Sequence, residues 1–131
     1  MIGLDTNVLI RFFMRDEPAQ CQRVDALMRS FSSEKPGWIS VVVLVELTWV
    51  LRSVYKRNRA EISAILVYLL SRQEITVERA DLIHASLRLF QSSNISFADC
   101  LIAFSAQSAG CGTTYTLDEA AAKAAGMTLV P

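Results

Sequence analysis

Four acidic side chains fall near the predicted ends of strands or beginnings of helices, where α/β folds bind their ligands. They are Asp5, Glu46, Asp99 and Asp118. Carboxylates that are brought together repel each other and weaken the fold unless a cation neutralises their charge. Because carboxylate oxygens without nearby histidine or cysteine suit hard cations, this set predicts a Mg²⁺ or Mn²⁺ site.

A cation of this kind is suited to chemistry on phosphate groups. Mg²⁺ keeps several of its waters and takes only one or two carboxylates directly, so it can receive phosphate oxygens. One or two such ions can generate a hydroxide nucleophile from water and stabilise the charge on a phosphodiester during in-line displacement. The four acids therefore predict hydrolysis of a phosphodiester bond.

Each acid also has a purely structural interpretation. Asp99 follows a serine by three residues and Asp118 precedes an alanine-rich segment, so helix capping explains either residue alone at least as well. Asp5 precedes a threonine and an asparagine and fits an Asx cap between a strand and a helix. Glu46 is harder to explain in this way, because it lies in the almost wholly apolar segment 41–51, where a buried lone carboxylate is seldom tolerated.

The elements that must position these acids alternate between short and long, which is typical of α/β proteins. Strands are predicted at residues 1–4, 38–39, 75–77, 113–117 and 127–130. Helices are predicted at residues 6–14, 16–31, 40–54, 58–69, 79–91, 96–110 and 118–125. Segment 40–54 also has strand propensity, but its length favours a helix. Short strands joined by helices pair in parallel, so we expect a three-layer α/β/α sandwich with a central, mainly parallel sheet of four to five strands.

Length and composition argue against several other classes of protein. The chain has 131 residues, 13 basic and 13 acidic side chains and a 52% apolar share, which predicts one domain over residues 1–131. Zero net charge argues against a polybasic surface as the main means of binding nucleic acid. Three cysteines without a C-x-x-C pair, and one histidine, argue against a zinc site or a disulfide framework. Without a signal segment or an apolar run long enough to span a bilayer, we expect a cytoplasmic protein.

Four segments, in this order and spacing, closely resemble the motifs of the PIN domain. They are Leu4-Asp5-Thr6-Asn7-Val8-Leu9-Ile10, Val43-Leu44-Val45-Glu46-Leu47-Thr48-Trp49-Val50-Leu51, Phe97-Ala98-Asp99-Cys100-Leu101-Ile102-Ala103 and Thr116-Leu117-Asp118. The resemblance covers nearly the whole chain, and a chain of this length that is nothing but the domain resembles a VapC-type toxin ribonuclease. The resemblance implies a PIN-like, usually homodimeric α/β/α sandwich that cleaves RNA with Mg²⁺ or Mn²⁺ and is inhibited by a VapB-type antitoxin.

The resemblance also implies roles for the individual acids. Asp5, Glu46 and Asp99 match the three principal acids of the family, and Asp118 matches its more variable fourth acid. By resemblance, Asp5 and Asp99 bind the metal directly, Glu46 holds or activates water and Asp118 completes the site. Ala121 departs from the family, which often has an aromatic residue at this place. Which acid acts as the base stays open.

Several further residues are predicted to position the RNA. They are Thr6, Asn7, Thr116, Arg11, Arg52 and Lys56. The basic cluster at 52–59 can be explained equally well by contact with RNA or by a solvated helix end. The basic residues could also bind an acidic segment of an antitoxin. Tyr55 beside this cluster is the aromatic residue best placed to stack on a base, whereas core or dimer packing is expected for Trp49.

Two other functions remain open. A receiver-type signalling domain also carries an acidic pocket at its strand ends. It predicts an acidic pair after the first strand, an acceptor aspartate after the third and a lysine after the fourth, and the sequence has none of these. A catalytically inactive PIN-like module that only binds a partner would not require the full set of acids.

Overall fold

The computed structural model describes the chain from Met1 to Pro131 and contains seven helices and five strands. The strands are β1 (Ile2–Gly3), β2 (Gly37–Ile39), β3 (Ile75–Val77), β4 (Tyr115–Thr116) and β5 (Thr128–Leu129). The helices are α1 (Thr6–Met14), α2 (Pro18–Arg29), α3 (Val41–Ser53), α4 (Arg59–Ser71), α5 (Ala80–Ser92), α6 (Phe97–Ser108) and α7 (Glu119–Ala125). Every predicted element is present, and most end within a few residues of the predicted bounds.

The chain divides into two compact units, Met1–Glu78 and Arg79–Pro131. The first unit holds a parallel sheet in the order β1-β2-β3, in which Ile2 pairs with Gly37 and Gly37 with Ile75. Helix α1 packs against both α2 and α3. The carboxyl ends of all three strands therefore meet at one edge of this sheet, where Asp5 follows β1 directly after Leu4.

Close packing at β2 depends on the absence of a side chain at Gly37. A Cβ atom at this position would lie 2.9 Å from the ring of Phe31 and 3.1 Å from Cδ1 of Leu4. Phe31 and Leu4 are both buried, so a shift of either side chain would disturb the packing around it. Glycine at position 37 thus allows the strand and these two side chains to approach each other closely.

Helix α3 confirms the prediction that segment 40–54 is helical. Ser40 is its N-cap, and the Ser40 hydroxyl accepts a hydrogen bond from the Val43 N–H at 3.1 Å. The apolar pattern predicts a core-facing stripe at positions 43, 47, 50, 51 and 54. The structure instead buries Leu44, Leu47, Thr48 and Leu51. In a segment that is apolar nearly all round, packing rather than hydrophobicity decides which face is covered.

Helix α4 begins with the predicted capping box. The Asn58 side chain accepts from the Glu61 N–H at 2.8 Å, and Glu61 Oε1 accepts from the Asn58 N–H at 3.2 Å. Two otherwise unpaired backbone donors are satisfied in this way, which fixes where the helix starts.

The second unit is built on the pair α5 and α6, which pack along their apolar faces. The rings of Phe90 and Phe97 meet edge to face at 6.1 Å between centroids. Strands β4 and β5 pair in parallel, with α7 as the connecting helix and Gly126 as its left-handed C-cap at φ 69°. Glycine suits this position because it adopts positive φ without strain.

The predicted α/β class with parallel strands is confirmed. The five strands are hydrogen-bonded in two groups, of three and two, instead of one continuous ladder. Strands β1, β4 and β5 are only two residues long, so each contributes few ladder hydrogen bonds. The prediction of one domain over residues 1–131 stays a prediction. No helix combines the length and the apolar composition that crossing a membrane requires.

Candidate active site

Asp5 stands at the junction between β1 and α1. The Leu4 N–H donates to the Trp38 carbonyl at 2.9 Å, which continues the pairing with β2 up to this junction. Asp5 is the N-cap of α1, and its Oδ1 accepts from the Thr6 N–H at 2.7 Å. The side chain is exposed, and Oδ2 has no protein hydrogen-bond partner. The cap interpretation is therefore correct for one oxygen and leaves the other available to a ligand.

Glu46 lies on the exposed face of α3, and the expectation of a buried carboxylate is wrong. Because α3 buries the side that carries Leu44, Leu47 and Leu51, Glu46 points to the other side. Its neighbours one turn away, Val42 and Trp49, are 66% and 60% exposed. This exposure excludes core packing for Trp49, while the dimer role stays a prediction. Glu46 has no hydrogen bond or ion pair, so its carboxylate is fully available.

Asp99 occupies the first turn of α6. The Ser96 hydroxyl caps this helix by accepting from the Asp99 N–H at 3.1 Å. The Asp99 carboxylate is half-buried and makes no hydrogen bond to the Ser96 backbone. The capping pattern read from the sequence thus involves the backbone of Asp99 and leaves its carboxylate unused.

Asp118 is the N-cap of α7, as one interpretation of the sequence predicts. Its Oδ1 accepts from the N–H groups of Ala120 at 2.8 Å and Ala121 at 3.2 Å. The Asp118 N–H in turn donates to the Thr116 hydroxyl at 3.0 Å. The hydroxyl predicted to position RNA is therefore already engaged in holding the loop before α7, and Oδ2 of Asp118 stays open to solvent.

The four motif acids differ from several other acids of the chain in that they form no ion pair. Six ion pairs are formed, and none of them uses Asp5, Glu46, Asp99 or Asp118. Each of these carboxylates is therefore free of a basic group within 4.0 Å, and carboxylate oxygens are ligands that suit a hard divalent cation. In neither unit do three or more Asp, Glu, His or Cys side chains form a group that could hold a metal. Convergence of all four acids therefore stays a prediction.

The residues predicted to position RNA have differing environments. Thr6 is buried and its hydroxyl has no hydrogen-bond partner, whereas Arg52 and Lys56 are exposed and form no ion pair. Asn7 and Arg11 line a groove of about 450 Å³ between α1 and α2. Asn7 is exposed at the end of α1 that carries Asp5.

Arg11 is held by neighbours within the first unit. The hydroxyl of Tyr55 accepts from its guanidinium and raises the pKa of Arg11, with a smaller contribution from Asp16. The Tyr55 hydroxyl donates to Asp16, which lowers the pKa of that carboxyl and raises the pKa of Tyr55. Hydrogen bonding thus keeps Arg11 and Asp16 charged and the Tyr55 phenol neutral.

Glu78 is a residue of this region that the sequence interpretation did not single out. It follows β3 directly, and its N–H donates to the Ile39 carbonyl at 2.9 Å. Its Oε1 accepts from the Val41 N–H at 2.9 Å, at the first residue of α3. The sequence could have indicated Glu78 as a residue of this region, because an acidic residue directly after the third strand lies at the same sheet edge as Asp5. Glu78 fixes the beginning of the helix that carries Glu46.

The PIN-domain family profile matches residues 2–127 of the chain. The chain belongs to the PIN-domain family. PIN domains are typically nucleases and generally use divalent metal ions. The family resemblance and the PIN-like α/β fold predicted from the sequence are confirmed.

This PIN domain was also compared with solved structures and with curated proteins. It is similar to a chain in the crystal structure of FitAcB from Neisseria gonorrhoeae, with 22% identity and a TM-score of 0.38, over 100% of this chain and 97% of that chain. No curated protein matches it. Ala121, which replaces the aromatic residue frequent in the family, is 1% exposed. The side chain at this position of α7 is therefore buried.

Proposed function

We propose that this PIN domain is a Mg²⁺- or Mn²⁺-dependent endoribonuclease and the toxin of a VapBC-type toxin–antitoxin system. The observation that carries the proposal is that all four motif acids lack a basic partner, while six ion pairs occupy other acids. Carboxylates that come together in one site repel each other, and a bound cation removes that repulsion. The chemistry of the donors therefore fits the ion that the family uses.

In this proposal the four acids have different roles. Asp5 and Asp99 bind the cation directly, Glu46 orients or activates the attacking water, and Asp118 completes the site through its open oxygen Oδ2. The bound ion supplies Lewis acidity and charge stabilisation to the phosphodiester. The caps at Asp5 and Asp118 hold each carboxylate in one orientation, so little reorganisation is needed when the ion binds.

Exposed basic and polar residues support the binding of RNA, and the partner proteins are inferred from the family resemblance. Arg52 and Lys56, exposed and without ion pairs, supply local phosphate contacts on a chain of zero net charge. Asn7, which is exposed beside Asp5, positions the RNA strand there, whereas the Thr6 hydroxyl is buried and does not reach RNA. We infer that a VapB-type antitoxin inhibits the enzyme, that the enzyme acts as a homodimer and that it works in the cytoplasm.

The test is RNA cleavage by the purified protein. A total RNA pool is incubated with Mg²⁺, Mn²⁺ or a chelator, and the cut ends are sequenced. We expect cleavage with either metal, none with the chelator, and at least a hundredfold loss in Asp5→Asn and Asp99→Asn, because removing a metal ligand removes the transition-state stabilisation.

Glu34→Gln is the matched control, since Glu34 is an exposed acid outside the motifs. It should cleave like the wild type. Full cleavage by the Asp5→Asn, Asp99→Asn double variant contradicts the proposal. An inactive PIN-like module that only binds a partner predicts no metal-dependent cleavage by any of these proteins.

A further inference from the structure

A polar network joins two helices of the first unit that carry motif acids. The Arg11 guanidinium on α1 donates to Asp16 Oδ1 at 3.0 Å, to the Tyr55 hydroxyl at 3.3 Å and, through Nε, to Gln20 Oε1 at 2.6 Å. The Tyr55 hydroxyl, two residues beyond the end of α3, donates to Asp16 Oδ2 at 2.6 Å. Tyr55 therefore both gives and receives a hydrogen bond, and its partners are a charged pair.

The sequence suggested Tyr55 as a stacking platform for a base, but the structure engages its polar end differently. Its hydroxyl is fixed between Arg11 and Asp16, 44 and 39 positions away in the chain. Hydrogen bonds to charged groups are stronger than those between neutral groups. Tyr55 is thus held by α1 and the loop that follows α1.

The location of this network matters because α1 and α3 are the helices that carry Asp5 and Glu46. Asp5 caps the beginning of α1, and Glu46 lies about two turns before the end of α3. A helix moves as a rigid body over such lengths, so a tilt at the end near Tyr55 displaces Glu46. Displacement of a reacting group by about 1 Å can reduce the rate a hundredfold.

We propose that the Tyr55 hydroxyl is a positioning group, which ties the end of α3 to α1 so that Glu46 and Asp5 keep a fixed relation. This inference rests on the proposed nuclease function. Tyr55 does not contact the reacting atoms and acts only through the helix that it anchors.

An ion pair of Arg15, the C-cap residue of α1, provides the control. Arg15 donates to both carboxylate oxygens of Asp25, at 3.0 and 2.6 Å, and so joins α1 to α2. Like Asp16, Asp25 has its pKa lowered by hydrogen bonding, in its case from Arg15. This pair does not involve α3. Asp25→Asn therefore removes a comparable interaction without affecting the link to Glu46.

The experiment compares Tyr55→Phe, Asp16→Asn and Asp25→Asn in RNA cleavage over a series of Mg²⁺ concentrations. We expect Tyr55→Phe and Asp16→Asn to raise the Mg²⁺ concentration for half-maximal rate by about two- to tenfold, the range that one hydrogen bond supports. Asp25→Asn should match the wild type. Thermal unfolding of all three variants is measured in parallel, and the Mg²⁺ shift should not follow the loss of stability.

A Mg²⁺ dependence in Tyr55→Phe equal to that of the wild type overturns the inference, and so does an equal shift in Asp25→Asn. Amide hydrogen exchange without RNA or metal provides the second measurement. In Tyr55→Phe the last turn of α3 should exchange several-fold faster, while α2 stays unchanged. Unchanged exchange in α3 overturns the anchoring role. If the wild type does not cleave RNA at all, the proposed function fails, and hydrogen exchange still decides whether Tyr55 anchors α3.

Discussion

At the scale of single residues, the local hydrogen bonds determine how much of each carboxylate is available. Glu46 and Asp99 make no side-chain bond, whereas Asp5 and Asp118 each use one oxygen as a helix cap. The sequence predicted these caps because a capping residue and its donors are close in the chain. It could not predict the bond from Val41 to Glu78, because 37 positions separate the two residues.

Asp118 combines a structural and a proposed catalytic role, which substitution can separate. Asp118→Asn keeps an oxygen that can accept from Ala120 and Ala121, so stability should stay within about 0.5 kcal/mol of the wild type. Asp118→Ala removes the acceptor and should lower the free energy of unfolding by about 1 kcal/mol. Both variants should lose RNA cleavage. Chemical denaturation together with the cleavage assay checks this, and an active Asp118→Asn variant would contradict a role in metal binding.

At the scale of elements, the sequence predicted the existence and order of the helices and strands well. The apolar run of α3 correctly predicted a helix, but the expected burial of Glu46 was wrong. Nearly every position of that helix is apolar, so hydrophobicity does not show which face is buried. The network around Tyr55 was missed for a related reason. Its members are brought together by the packing of α1 against α3, which no local pattern encodes.

Helix α3 depends on Glu78 for its first hydrogen bond, and this dependence can be measured. Glu78→Ala leaves the Val41 N–H without its acceptor and should reduce the free energy of unfolding by about 1 kcal/mol. Glu78→Gln retains an oxygen acceptor and should lose less than half of that. Because the same helix carries Glu46, cleavage of RNA should fall more in Glu78→Ala than in Glu78→Gln. Equal stability of the two variants, measured by denaturant titration, would show that the Glu78 oxygen does not support α3.

At the scale of the whole molecule, the family profile spans residues 2–127 and thus includes both compact units. The sequence predicted the α/β class and the parallel pairing, since helices between short strands require crossover connections. It did not predict that the ladder hydrogen bonds fall into two groups of consecutive strands, because where a ladder ends depends on tertiary contacts. The motif acids were predicted from their order and spacing along the chain, and they stay a prediction.

Metal binding should be visible as stability of the folded protein. If Asp5 and Asp99 bind one cation, Mg²⁺ at about one hundred times its Kd should add about 2.7 kcal/mol. For a chain of this size that is on the order of 10 °C in Tm. Asp5→Asn should melt at or above the wild-type Tm in metal-free buffer, because it removes repulsion, and should lose the Mg²⁺ response. If the Asp5→Asn, Asp99→Asn double variant still gains stability from Mg²⁺, the ion binds at other residues.

Position 37 illustrates how a residue without a side chain can constrain a reaction. The alanine methyl group would press on Phe31 and on Leu4, whose next neighbour in the chain is Asp5. In a library randomised at this codon and screened for RNA cleavage, glycine should be strongly enriched among the active clones, although position 37 takes no part in the chemistry. Tolerance to substitution is therefore set here by the space beside Leu4, the residue that precedes the proposed ligand.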